Sequence, residues 1–215
     1  MKKLMFAAAM MFVLVAGLAL RAAETTLASA GVDVGKEYFT KIGLWQEKNA
    51  CSSSNYHVGT FIPAGTKVTI KKINPDKITF DVVDGTGSIV FTNNPKHSKA
   101  KLEEVAMRTF GETSPMAEGG AFTRFTPAEQ TSIKKGSIDF GMCKDAVIMA
   151  YGYPPASLTP SINNDTWTYS ENRITKLAVQ FKDDKVDKIT GGRVDKADDK
   201  ATKDDKKPEK KQDTK

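Results

Sequence analysis

The stretch GMCKDAVIMAYGYPP, Gly141 to Pro155, decides how the second half of the chain folds. It reads as a short helix with a marked entrance and exit. Cys143 stands where an N-cap belongs, Asp145 falls in the first turn where the helix dipole favours an anion, and Gly152 offers a left-handed ending. Tyr153-Pro154-Pro155 then blocks continuation, because proline lacks the amide and restricts the residue before it. A second helix start lies upstream in Thr126-Pro127-Ala128-Glu129, with a capping hydroxyl, proline at the first helical position and a glutamate three residues after the cap. Gly136 can end that helix.

Downstream, DTWTYS, RITKLAVQF and KVDKIT read as three strands. Trp167 and Tyr169 share a face in the first, and Leu177, Val179 and Phe181 share one in the second. Ser170-Glu171-Asn172 and Lys182-Asp183-Asp184-Lys185 supply the hairpin turns. Two helices followed by a three-stranded meander predict a two-layer α+β unit over residues 126–194.

The first half has another rhythm. KEYFTKIGLW, Lys36 to Trp45, alternates as a strand with apolar residues on both faces, and ACSSSNYHVG follows as a polar loop carrying Cys51 and His57. The run from Phe61 to Asn93 holds three β-rich segments punctuated by Pro63-Ala64-Gly65-Thr66, Asn74-Pro75-Asp76 and Asp84-Gly85-Thr86-Gly87. Short strands so spaced predict a small curled sheet or barrel over residues 31–110, closed by a short helix from Lys101 to Phe110. DGTGS is read as a tight hairpin turn, not a phosphate loop, because no lysine-serine pair follows and the next run is a strand. GETSPMAEGG, within residues 111–125, has linker composition.

The two ends differ from both halves. Met1-Lys2-Lys3, the apolar run Leu4 to Leu20 and the small residues after it read as a secretory signal peptide over residues 1–30, with cleavage after Ala30 or near Ala22. Export is therefore expected, with an uncleaved anchor as the alternative. Residues 195–215 are lysine and aspartate with almost nothing apolar, a composition that cannot offset its ordering entropy, and are expected to be a disordered charged tail.

The chain carries a formal net charge of +6, yet its lysines are interspersed with carboxylates and not gathered on one face, so no nucleic-acid partner is expected. Cys51 and Cys143 are the only cysteines; an oxidising compartment leaves a disulfide between them open against two separate thiols. The helix dipole and Lys144 would lower the pKa of Cys143, but no CxxC accompanies it, and His57 and His97 both lie in the first half. The two histidines, each in a polar loop, do not make a metal set. Glu103-Glu104 reads as a solvated helix face. Tyr151, Tyr153, Pro154, Trp167 and Tyr169, with Asn172 and Arg173 at a turn, are the candidates for a partner-binding rim; for Trp167 the core is the competing place.

IKKGSIDFGMCKDAVIMAYGYPP, followed by NDTWTYS, LAVQF and KVDKI, resembles the SmpA/OmlA (BamE-like) family over Thr126 to Thr190. The shared features are a glycine-methionine step into a capped helix, a Gly-x-Pro exit, a Trp-x-Tyr strand and a later Val-x-Phe strand. The resemblance implies a small ααβββ domain at the inner face of the bacterial outer membrane, serving envelope assembly by binding or scaffolding and without an active site. Two departures stand out: no cysteine directly follows the apolar leader to carry a lipid, and Cys143 replaces the family's usual serine or threonine. GTFIPAGTKVTI, Gly59 to Ile70, is more loosely similar to bacterial SH3-like barrels.

The expected function is thus that of a non-enzymatic, periplasmic protein-binding or scaffolding module that needs no cofactor and has an envelope protein as partner. Attachment to the outer membrane is left open. The alternative is an SH3-like module recognising cell-wall peptide or glycan, and a thiol-dependent enzyme is the third.

Overall fold

A computed structural model describes residues 32–192 apart from Asn55, Thr86, Lys96 and His97. The signal-peptide reading, the charged-tail reading and His97 lie outside the described residues. The chain is a mixed α+β fold.

The first half is built on a six-stranded sheet from β1 (Glu37–Thr40), β3 (Ala50–Ser52), β5 (Lys67–Asn74), β6 (Lys77–Val82), β7 (Ser88–Thr92) and β8 (Phe110–Gly111), in the order β3-β7-β6-β5-β1-β8. All neighbours are antiparallel except β3 and β7. Alternation sends Val68, Ile70, Ile78, Phe80, Ile89 and Phe91 inward, where α1 (Leu102–Thr109) adds Leu102 and Ala106. The outer face carries ion pairs such as Lys67–Glu37 at 2.6 Å, exposed and so worth little to stability.

Two expectations need correction here. The strand read from Lys36 to Trp45 breaks after Thr40, and the polar loop read from Ala50 contains β3, with Cys51 buried in the core. After the break the chain leaves the large sheet and forms a ribbon, β2 (Leu44–Gln46) against β4 (Thr60–Ile62). The cause is Gly43. Its N–H donates to the Met149 carbonyl at 2.9 Å, and a Cβ there would sit 2.2 Å from the Ala150 carbonyl oxygen and 2.7 Å from the Phe61 ring. A contact with the second half therefore interrupts a locally good strand.

In the second half a 3-10 turn (Ala121–Arg124) precedes α2 (Pro127–Lys135) and α3 (Lys144–Tyr151), which pack on β9 (Thr166–Ser170), β10 (Lys176–Lys182) and β11 (Lys185–Gly191). The three strands form the antiparallel meander β11-β10-β9. Trp167 stands opposite Val179 and Tyr169 opposite Leu177, and the Trp167 ring lies 4.6 Å from that of Phe181. Asp183 and Asp184, both at positive φ, make the tight turn between β10 and β11.

Glu129 ties the two helix entrances together. Its Oε2 accepts the Thr126 N–H at 2.9 Å, the Thr126 hydroxyl oxygen in return accepts the Glu129 N–H to complete the capping box, and Oε1 accepts the Cys143 N–H at 2.8 Å. Burial pushes this carboxyl up, but the bonds from Cys143 and Thr126 outweigh it and hold the group below the usual carboxylate range. Because the folded pKa is depressed, this stabilisation is complete above the unfolded value near 4.5 and is lost as pH falls through the folded value. Glu129→Ala is expected to cost about 2 kcal/mol in urea unfolding at neutral pH, and Glu129→Gln, which keeps one acceptor, about half as much.

Candidate binding site at the seam

The two halves meet by exchanging side chains. From the first half, His57 reaches into the second: its ring stacks on Tyr151 at 3.5 Å, lies edge-on to Tyr169 at 5.7 Å, and its Nε2–H donates to the Tyr151 carbonyl at 3.0 Å. Burial lowers its pKa to about 4, against the partial offset of hydrogen bonds to the backbone of Tyr151 and Ser170. A neutral imidazole is thus the form that fits. From the second half, Tyr153 packs against the core of the first, with the Arg108 guanidinium over its ring at 5.1 Å.

Gly152 aims Tyr153. Its φ of 83° and ψ of −180° lie in a region that essentially only glycine occupies; the helix does not end in the left-handed α conformation expected from the sequence. The Gly152 carbonyl accepts the Tyr169 hydroxyl at 3.1 Å, which fixes the exit, and Pro154 and Pro155 follow as buried residues.

Tyr153 and Arg108 stand between two clefts. The smaller, about 70 Å³, is lined by Ile42, Leu44, Phe91, Val105 and Pro154 together with Ser52, Ser53 and Ser98. The larger, about 290 Å³, has Ile42, Phe125, Ile148 and Met149 along its floor and Lys41, Arg108, Arg124 and Asp145 on its walls. Arg108 is paired with Glu104 one turn back on α1, and Lys41 donates to the Met107 carbonyl at 2.9 Å.

Of the rim residues read from sequence, the structure brings Tyr153 to the surface of this seam and removes several others. Trp167 and Tyr169 are fully buried and Tyr151 is 7 % exposed, so these three are packing residues, a correction to their reading as rim, while Pro154, also buried, lines the smaller cleft. The Trp167 indole N–H donates to the Ile162 carbonyl and the Tyr151 hydroxyl to Glu171. Asn172 shapes the β9–β10 turn, its Oδ1 accepting the Ile174 and Thr175 amides, while Arg173 is exposed beside Ile174. Arg108, Lys41 and Arg124 were missed: nothing local to their segments says that they will line one cleft with Tyr153.

The cysteines are free, Cys51 in the first core and Cys143 at the entrance of α3, so of the two readings left open the structure has the separate thiols and not the disulfide. Burial pushes the Cys51 thiol up to about 12. Cys143 is also raised, by burial first and by the Glu129 carboxylate beside it, against the lowering effect of the helix amide; the dipole does not win. Lys144 is engaged elsewhere, with Asp184 at 2.9 Å and Asp165 at 3.7 Å. Thiol titration of the protein spanning residues 32–192 is expected to find Cys51 unreactive while folded, Cys143 slow, and both reactive in denaturant; a single thiol, or none, after denaturation contradicts this.

Among the described residues no three His, Cys, Asp or Glu side chains are grouped to hold a metal ion, and no helix is long and apolar enough to cross a membrane. Compared with protein-family models, curated proteins and solved structures, the chain finds no match.

Proposed function

We propose that this is a non-enzymatic, exported envelope protein that acts as a binding or scaffolding module, its second half a BamE-like ααβββ domain and its first half an SH3-like β domain. The observation that carries the reading is the order of elements after Thr126: two capped helices, then an antiparallel meander in which the Trp-x-Tyr strand pairs with the Val-x-Phe strand. That is the arrangement implied by the SmpA/OmlA resemblance. A non-catalytic role is supported by the employment of the buried ionisable groups in packing: His57 in the seam, Glu129 at two helix entrances, Tyr169 at the α3 exit. The proposed place is the periplasm, at or near the outer membrane.

One feature favours the cell-wall alternative. A cleft of about 290 Å³ in the first half is edged by Trp45 and the part-exposed Tyr56, and aromatic edges of this kind suit sugar rings. Crosslinking in intact cells followed by purification distinguishes the two. Recovery of outer-membrane assembly proteins supports the proposal, whereas sedimentation with purified cell wall, and no protein partner, replaces it with the alternative.

A further inference from the structure

We propose that the twin clefts around Tyr153 and Arg108 take an acidic segment of a partner protein, an apolar side chain entering the smaller cleft and flanking carboxylates meeting the cations of the larger. The inference rests on the binding-module reading and gives its partner a chemistry. Three observations carry it.

The first is shape. A volume of about 70 Å³ is several times the ~15 Å³ that one water needs, and its walls are largely apolar, so it suits one buried side chain better than a run of waters. The second is an unused polar group. The Ser53 Oγ lies buried in that wall without a hydrogen-bond partner among the described residues, while its neighbours are satisfied: the Thr109 hydroxyl donates to the Val105 carbonyl and the Ser53 amide to the Thr92 carbonyl. A hydroxyl left so is costly, and a ligand that opened the wall enough to reach it would relieve that cost. The third is charge. The larger cleft sets Lys41, Arg108 and Arg124 against Asp145, and neither Lys41 nor Arg124 has an ion-pair partner among the described residues. Such a wall attracts carboxylates and repels a basic segment. Concave clefts that admit single side chains favour a peptide over a lipid surface, which needs an apolar face that can be laid into the headgroup boundary.

The test uses the full-length protein and isotope-edited NMR with short synthetic peptides in which leucine, phenylalanine or methionine is flanked by aspartates, and counterparts flanked by lysines. The aspartate peptides are expected to shift the amides of Ile42, Ile148 and Tyr153 and to bind at least about tenfold more tightly than the lysine peptides. Arg124→Glu, an exposed change away from either core, should weaken the aspartate peptides about tenfold while leaving the lysine peptides unaffected or improved. Ala156→Leu, which fills the smaller cleft, should abolish the preference among the three anchors. Equal binding of both charge classes, no shifts at this face, or binding to phosphatidylglycerol vesicles through Arg124 in place of the peptides overturns the inference. If the peptides fail while envelope proteins still crosslink to the protein, only this inference falls; if the peptides bind and no envelope protein is recovered, the proposed function falls instead.

Discussion

Acidification from neutral pH to pH 4 will weaken the folded state by roughly 3 kcal/mol through His57 alone. The imidazole lies 4 % exposed between the two halves, its folded pKa lowered from 6.5 to about 4 chiefly by burial. Between those values the unfolded chain binds the proton and the folded chain does not, so stability is complete above pH 6.5 and declines as pH falls, levelling off below the folded value. The groups packed on the ring are the aromatic side chains of Tyr151, Tyr169 and Trp45. Urea midpoints measured across this range should slope upward with pH, and His57→Phe should flatten the slope while costing about 1–2 kcal/mol at neutral pH, because the Tyr151 carbonyl loses its donor. An unchanged slope in the variant would place the titration elsewhere.

Trp167→Ala is the most damaging single substitution expected, at about 3–5 kcal/mol. The indole is wholly buried, meets Phe181 and stands opposite Val179, and its N–H fastens the Ile162 carbonyl. Truncation opens a cavity in the core of this half and frees the loop before β9. For a domain with a total stability of about 5–15 kcal/mol this approaches unfolding at ordinary temperature. Arg173→Ala, on the exposed turn of the same meander, should stay within about 0.5 kcal/mol by urea unfolding. Comparable costs for the two would mean that the meander is not the core of this half.

The difference between these residues shows what the sequence could tell. The α2 entrance was legible because a capping box is made by four consecutive residues, and the meander was legible because alternation in β9 and β10 directly names the buried face. The seam was not. His57 sits in a stretch of serines, asparagine and glycine that reads as solvated loop, and its burial follows from Tyr151, ninety-four positions away. Gly43 looks like a minor flaw in a strand until the Ala150 carbonyl is seen against it. Cys143 carries every local mark of a lowered pKa, yet burial and a carboxylate brought from α2 reverse the direction. For the same reason Tyr153 could be picked as a contact residue from its loop, while Arg108, which completes the site, could not.

The site exists only if the two halves are locked together, and the two tryptophans allow that to be measured. Trp45 lies by His57 and Phe61 at the seam side of the first half, and Trp167 fills the core of the second. In Trp167→Phe the fluorescence reports the first, in Trp45→Phe the second, and far-UV circular dichroism follows the whole chain in each. Urea transitions at which fluorescence and dichroism coincide in both variants are the predicted result. Fluorescence midpoints displaced from the dichroism midpoint in either variant, the mark of halves that unfold independently, would contradict the account.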